Sequence, residues 1–148
     1  MPADMKPWTP HMQGVGLPKS QRVLEVLDLF AWQALLQRTT ASVALRMSFA
    51  DKKTMLQDAY VDVSQNPKFC SVNSPGKPVG CLTTSTILYS YGRDRVLIPQ
   101  EYMLLQGHRR GYKLPASGNQ VRQLAGEGIC LPVLGVVIWA MYLVKGLP

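Results

Sequence analysis

The stretch Arg93-Asp94-Arg95-Val96-Leu97-Ile98-Pro99-Gln100-Glu101-Tyr102-Met103-Leu104-Leu105-Gln106-Gly107 organises the reading of this chain. It reads as a basic turn that runs into a short helix. Pro99 suits the first helical position, where its missing N–H costs nothing and its fixed φ is already helical. Glu101 lies in the first turn, where a carboxylate meets the positive end of the helix dipole. Gly107 fits the stop, because a helix commonly ends on a residue that tolerates positive φ.

Upstream, Gly80 to Tyr91 is dominated by β-branched and aromatic residues and reads as a strand or hairpin arm. Ala59 to Ser64 alternates as a strand does, and Gln65 to Lys68 is a turn. Ser71 to Lys77 is a polar loop with Pro75 and Gly76 at its tip. Asp51 to Asp58 predicts a short helix with Asp51 as its cap, and Thr39 to Arg46 fits no single template. Ser20 to Arg38 predicts a longer helix: Val23, Leu24, Leu27, Phe30 or Ala31, Ala34 and Leu35 recur at helical spacing, and Ser20 can cap it. Val26, Leu29, Trp32 and Leu36 widen the stripe, which predicts cover on more than one side, with Phe30 and Trp32 as core. Residues 1–19 are rich in Pro, Gly and Met and read as an irregular lead-in with no packing pattern. Gly14-Val15-Gly16 follows no apolar strand, so it reads as a turn rather than a phosphate loop.

Downstream, His108 to Asn119 reads as a loop broken by Gly111, Pro115 and Gly118. A last element begins near Gln120 and is interrupted at Gly126-Glu127-Gly128. A helix is then predicted from Pro132 to Val144, with Lys145 suiting its dipole and Gly146 its cap. Ile129 to Val144 is free of charge. That falls short of the roughly 20 residues a spanning helix needs, so the segment reads as a buried core helix, with a short membrane anchor as the alternative.

The 148 residues suffice for one domain with a core, and 47% apolar content argues against global disorder. Sixteen basic against nine acidic residues give +7, a sign that suits a polyanion. From Arg93 to Arg122 six Lys/Arg face only Asp94 and Glu101. That concentration reads either as a solvated face or as a phosphate-contacting edge. Cys70, Cys81 and Cys130 are odd in number and widely spaced, which argues against a disulfide framework and against a zinc site. His11 and His108 show no metal-ligand spacing, and the N-terminus lacks the apolar segment of a secretory signal. An intracellular location is expected, and the family resemblance described next implies the nucleus in a eukaryote and otherwise the cytoplasm.

Three pieces of the chain, in order, resemble late elements of the cytosine-5 DNA methyltransferase family. Cys81-Leu82-Thr83-Thr84-Ser85 resembles the close of its target-recognition region. Arg95 to Gly107 resembles its motif Arg-x-Leu-x-Pro-x-Glu-x-x-x-Leu-Gln-Gly. Gln120 to Pro132 resembles its final motif, with Gly126 matching and Glu127 standing where the family has Asn. The resemblance covers roughly residues 60 to 145. It implies DNA as partner, with Thr83, Thr84, Arg93, Arg95, Arg109 and Arg110 as candidate DNA contacts. It also implies S-adenosylmethionine as the family's cofactor, bordered by Gly126, Glu127 and Gly128. The family's nucleophile is a Cys after Pro, whose thiolate adds to the cytosine ring. Here Cys70 follows Phe69, Cys81 follows Gly80 and Cys130 follows Ile129. The Glu-Asn-Val triplet and the Gly-rich cofactor turn do not occur either. The chain by itself is therefore expected neither to transfer a methyl group nor to hold the cofactor, and no catalytic residue or metal ligand is assigned.

The expected fold is mixed α/β: a partial Rossmann-like methyltransferase remnant with an N-terminal helix, a small irregular β lobe and C-terminal helices. The expected divisions are an irregular segment at 1–19, helices at 20–58, a recognition-lobe remnant at 59–92, and late motifs with the apolar helix at 93–148. The leading functional expectation is a C-terminal methyltransferase piece, inactive alone: a gene-model fragment, a truncated pseudo-enzyme, or one half of a split enzyme that works with a complementary front-half polypeptide. The alternatives are a non-catalytic basic DNA-binding module and a small membrane protein anchored by residues 129–144.

Overall fold

The computed structural model describes residues 5–68, 80–111, 113 and 117–145. The expectations placed on Cys70, on the loop tip at Pro75 and Gly76, on Pro115 and on Gly146 lie outside the described residues. The architecture mixes α-helix with a small antiparallel sheet. The chain forms two compact units. Among the described residues, the first holds 5–68, 80–81 and 86–97, and the second holds 82–85 and everything from 98 onward.

The first unit is built on α1 (Gln21–Leu36). Ser20 caps it by accepting from Val23 N, as its position before the apolar stripe predicts. Val23, Val26, Leu27, Phe30, Ala31, Ala34 and Leu35 are buried, which is one helical face at i, i+3, i+4 spacing. Each fully buried side chain of Val, Leu or Phe size contributes about 1.5–3 kcal/mol. The wider stripe is not fully covered. Leu29 and Leu36 are exposed, and Trp32 is half-buried, donating from its indole to Met5 O at 2.6 Å. The buried residues of α1 share one core cluster with Trp8 and with Val61, Tyr89 and Tyr91 of the sheet region, so only one side of α1 is shielded.

Thr39 to Arg46 contains a short helix, α2 (Ala41–Arg46). The next helix, α3 (Phe49–Met55), starts earlier than expected because Ser48, not Asp51, is its cap. Ser48 Oγ accepts from Asp51 N and donates to the Asp51 carboxylate. The sheet has the order β1 (Tyr60–Asp62), β2 (Leu88–Ser90), β3 (Arg95–Val96), all antiparallel. Cys81 to Ser85 is not a strand: it carries no ladder, and a turn falls at Thr84–Ser85. Only Leu88 to Ser90 of the expected arm pairs, with Val61 opposite Tyr89. Gly92 ends that arm where only glycine fits, since an added Cβ would lie 2.2 Å from Gln57 O.

The N-terminal segment is part of this core rather than a lead-in. Trp8 is fully buried, its ring 4.8 Å from Phe49 and 4.9 Å edge-on from Tyr91. Asp28, buried on α1, accepts from Trp8 N, Thr9 N and the Thr9 hydroxyl. Asp94 is the second anchor. It sits at φ +52° in the β2–β3 turn, a conformation Asp tolerates better than most residues. Its carboxylate accepts from Gln13 N, from Gly14 N and from the Tyr89 hydroxyl, and Lys53 Nζ lies 4.0 Å away. The Tyr89 hydroxyl in turn accepts from the Trp8 indole at 2.8 Å. The bridge between Val15 and Arg95, with Val96 N donating to Val15 O, then adds the segment to the sheet edge.

The second unit contains α4 (Pro99–Leu105), α5 (Gly118–Glu127) and α6 (Leu131–Lys145). The expectation that the last helix is buried does not hold. Every side chain from Leu131 to Val144 is exposed except half-buried Leu134, and Val144 reaches 85%. No segment among the described residues covers this helix. Its apolar composition signals that it needs a cover, without saying where that cover comes from.

Burial, then donation to the Asp94 carboxylate, pushes the Tyr89 hydroxyl well above its usual range, with the Trp8 indole opposing. An unfolded tyrosine ionises near pH 10, so above that pH the folded state binds more protons than the unfolded one. Stability should therefore fall as pH rises past 10, by up to about 1.4 kcal/mol per unit from this residue. Urea unfolding between pH 9 and 11 should show that component in the native chain and lack it in Tyr89→Phe. Equal slopes would dismiss Tyr89 as the titrating group.

Candidate functional site

The second unit holds most of the segments that carry the family resemblance, residues 82–85, 98–107 and 120–132, while Cys81 and Arg95 to Leu97 belong to the first unit. Helix α4 begins as its composition predicts. Pro99 opens it, and the Glu101 carboxylate accepts from Ile98 N at 2.8 Å, which satisfies one of the free donors at the helix start. Tyr102 and Met103 are its buried face. Helix α5 begins similarly, with Gln120 Oε1 accepting from Ser117 N and from the Ser117 hydroxyl. Val121 and Ala125 are its buried face.

The end of α4 is tied to the link between α5 and α6. The Gln106 side chain is buried, and its amide donates to Ala125 O and to Gly128 O. The Gln106 carbonyl accepts from Leu131 N at 2.9 Å. Next to it, Gly107 adopts φ +87°, and an added Cβ would lie 2.4 Å from Pro132 Cδ. Glycine is therefore required at that position twice over, by backbone conformation and by space. On the far side of the link, an added Cβ at Gly126 would lie 2.3 Å from the Thr83 carbonyl carbon and 2.4 Å from Thr84 N. The backbone of Thr83–Thr84 thus lies directly against α5, which accounts for the missing strand at Cys81–Ser85. α5 ends at Gly128, which is extended at φ −75° and ψ 155°, and α6 starts three residues later.

The candidate DNA contacts divide between the units. Thr83, Thr84, Arg109 and Arg110 belong to the second, and all four are exposed. Thr83 and Thr84 lie against Gly126, while Arg109 and Arg110 follow directly from the end of α4. Arg93 and Arg95 belong to the first unit. Arg93 is exposed, and Arg95 is half-buried with its guanidinium donating to Val96 O. Of the candidate cofactor residues, Glu127 and Gly128 are exposed and Gly126 is half-buried. Arg122 is half-buried, and its Nε is buried without a hydrogen-bond partner, so a donor of positive charge is left unsatisfied on α5. Cys81 is exposed and Cys130 half-buried. Among the described residues no three of His, Cys, Asp or Glu gather as metal ligands.

Gln106 and Asp94 are the residues whose roles the sequence reading missed. Asp94 was visible only as the acidic member of a basic turn. Gln106 was visible as part of Leu-Gln-Gly, and the available signal was a long amide placed just before a stop glycine, where loose carbonyls need donors. Comparison with family models, with curated proteins and with solved structures gave no match.

Gly126→Ala should lower the stability of the second unit by about 2 kcal/mol or more, because backbone on both sides must move to admit a methyl group. Gly128→Ala should cost much less, since its nearest neighbour, Leu124 O, lies 3.1 Å from the added Cβ. Thermal unfolding followed by amide exchange of α5 compares the two. Equal losses would mean that Thr83–Thr84 does not pack on Gly126 in solution.

Proposed function

We propose that this chain supplies the C-terminal part of a cytosine-5 DNA methyltransferase, with the reactive thiol and the cofactor loop contributed by residues outside it. The observation that carries the reading is convergence. Residues 82–85, 98–107 and 120–132 come from three separate stretches resembling that family, and they belong to one compact unit. Gln106 ties the second stretch to the third, and Gly126 admits the first.

On this reading the exposed basic residues Arg109 and Arg110 meet DNA phosphates, and Arg93 and Arg95 do so from the first unit. Thr83 and Thr84 meet the DNA beside the extruded base. Gly126, Glu127 and Gly128 border S-adenosylmethionine once a catalytic region is present. The fit is partial. The glycines give open backbone at an exposed turn, but Glu127 brings a carboxylate where the family has an amide. The bound cofactor would supply the methyl group. This chain's residues would only shape one wall of its pocket and hold that wall to α4. Helix α6 fits the same reading. Apolar on all sides and uncovered, it would close onto the face of a Rossmann-like sheet built by the catalytic region.

Two experiments test this. Affinity for short duplex DNA should fall steeply with salt, and the double substitution Arg109→Ala, Arg110→Ala should reduce the log–log slope by about 2. A flat salt response in the native chain would remove the DNA reading. Separately, the chain mixed with a matching front-half polypeptide, S-adenosylmethionine and duplex DNA should yield methylated cytosine, while the chain alone should yield none. Absence of both complex and product would dispose of the methyltransferase reading.

One observation favours a second reading, that of a membrane anchor. The path from Gly118 to Val144 is long and apolar enough to be a candidate span, and its apolar window is wholly unburied. Yet the helix opens at Gly128, and α6 alone is 15 residues, about 22 Å, against a hydrocarbon core of about 30 Å. Co-flotation with lipid vesicles, lost on truncation before Leu131, would support the anchor over the methyltransferase part.

A further inference from the structure

We propose that Gln106 is a positioning residue through which DNA held by the basic loop after α4 fixes the glycine turn at 126–128. The proposal rests on the methyltransferase reading, which puts DNA at the first place and the cofactor at the second.

The mechanical case is local. Helix α4 ends at Leu105, and Arg109 stands only three residues after Gln106. His108 N still donates to Met103 O, so the loop starts from a backbone that is itself pinned. Gln106 then makes three hydrogen bonds across to the link between α5 and α6. Its side-chain amide reaches the carbonyls of Ala125 and Gly128, and its main-chain carbonyl receives Leu131 N. One amide bridging two carbonyls sets the spacing across the turn, which no apolar side chain of the same size can do. The Gly107–Pro132 contact leaves no room for the two strands of this junction to slide. At the turn itself Gly126 packs on the Thr83–Thr84 backbone and Gly128 N donates to Leu124 O, while Glu127 and Gly128 are exposed, so Gln106 is the side chain that ties the turn to α4. A phosphate backbone that immobilises Arg109 and Arg110 therefore immobilises the end of α4, and through Gln106 the turn. Coupling of this kind is a free-energy link between two sites, and it must work in both directions.

Amide hydrogen exchange of the full-length chain, with and without short duplex DNA at low salt, tests the link. In the native chain, DNA should slow exchange across 126–131 by about fivefold or more, the lower end of ordinary coupling. In Gln106→Met, which keeps the length and loses the donor, DNA should bind within about twofold of native affinity, well below that coupling, with no slowing across 126–131. Leu131→Pro removes the third hydrogen bond at a helix start where proline is tolerated, and should weaken the slowing even if Gln106→Met does not fold. DNA binding without slowing in the native chain, or equal slowing in native and both variants, would overturn the link and leave the methyltransferase reading standing. Failure of the native chain to bind DNA at all would take down that reading and the link with it.

Discussion

The buried carboxylate of Asp94 is the constraint on which the first unit depends. The sheet around it has strands of three, three and two residues, too short to be stable by ladder hydrogen bonds alone. What closes the structure is a set of hydrogen bonds from one side chain to three separate places: the N-terminal segment at Gln13 and Gly14, strand β2 at Tyr89, and through Tyr89 the indole of Trp8. A buried carboxylate is costly to desolvate, and here that cost is offset because its oxygens are used by donors. Asp28 does the same work from α1, accepting from Trp8 and Thr9. Together the two carboxylates turn a segment rich in Pro and Gly into a wall of the core.

The second unit solves the same problem with an amide. Helices of seven and ten residues are marginal in isolation, and their ends leave carbonyls without partners. Gln106 supplies donors to two such carbonyls at the end of α5, and glycines at 107 and 126 let backbone approach backbone where a side chain would intervene. The result is a rigid junction made almost wholly of main chain. Such a junction can present an open backbone turn to a ligand, which a packed apolar core cannot do. That is why it, rather than the larger first unit, is the candidate site.

Local signals in the sequence were read well, and long-range ones were not. Ser20 before a periodic apolar stripe located α1, and Pro99 with Gly107 bracketed α4, because caps and breakers act within a turn of where they stand. Residues 5–19 looked unstructured because what orders them lies far along the chain, at Asp28 and Asp94, and no local pattern encodes it. The threonines of 83–86 looked like a strand because β-branched residues favour extended backbone. They form none because Gly126 of α5, over forty residues later, occupies the backbone of Thr83 and Thr84. Of the site, the glycines and the basic residues could be named from residue type and order. Their division between two units could not, since that depends on which segments pack rather than on what they contain.

Helix α6 departs from the pattern of a helix packed on its own domain. A helix that packs on its own domain shows one apolar stripe and one polar face. From Leu131 to Val144 this helix has no charged residue on any side, and its side chains stand exposed. Burying even the Val136, Val137, Ile138 and Leu143 side chains would be worth about 1.5–3 kcal/mol each, so water is a poor final environment for it. Its N-terminus is not free to choose a cover independently, because Leu131 and Pro132 are held by Gln106 and Gly107. Whatever covers α6 must therefore dock beside the 126–128 turn. On the proposed methyltransferase reading, a catalytic sheet that buried this helix would bring its own cofactor loop to the same place. The unsatisfied apolar surface and the candidate cofactor turn are thus two demands that a single partner body would meet.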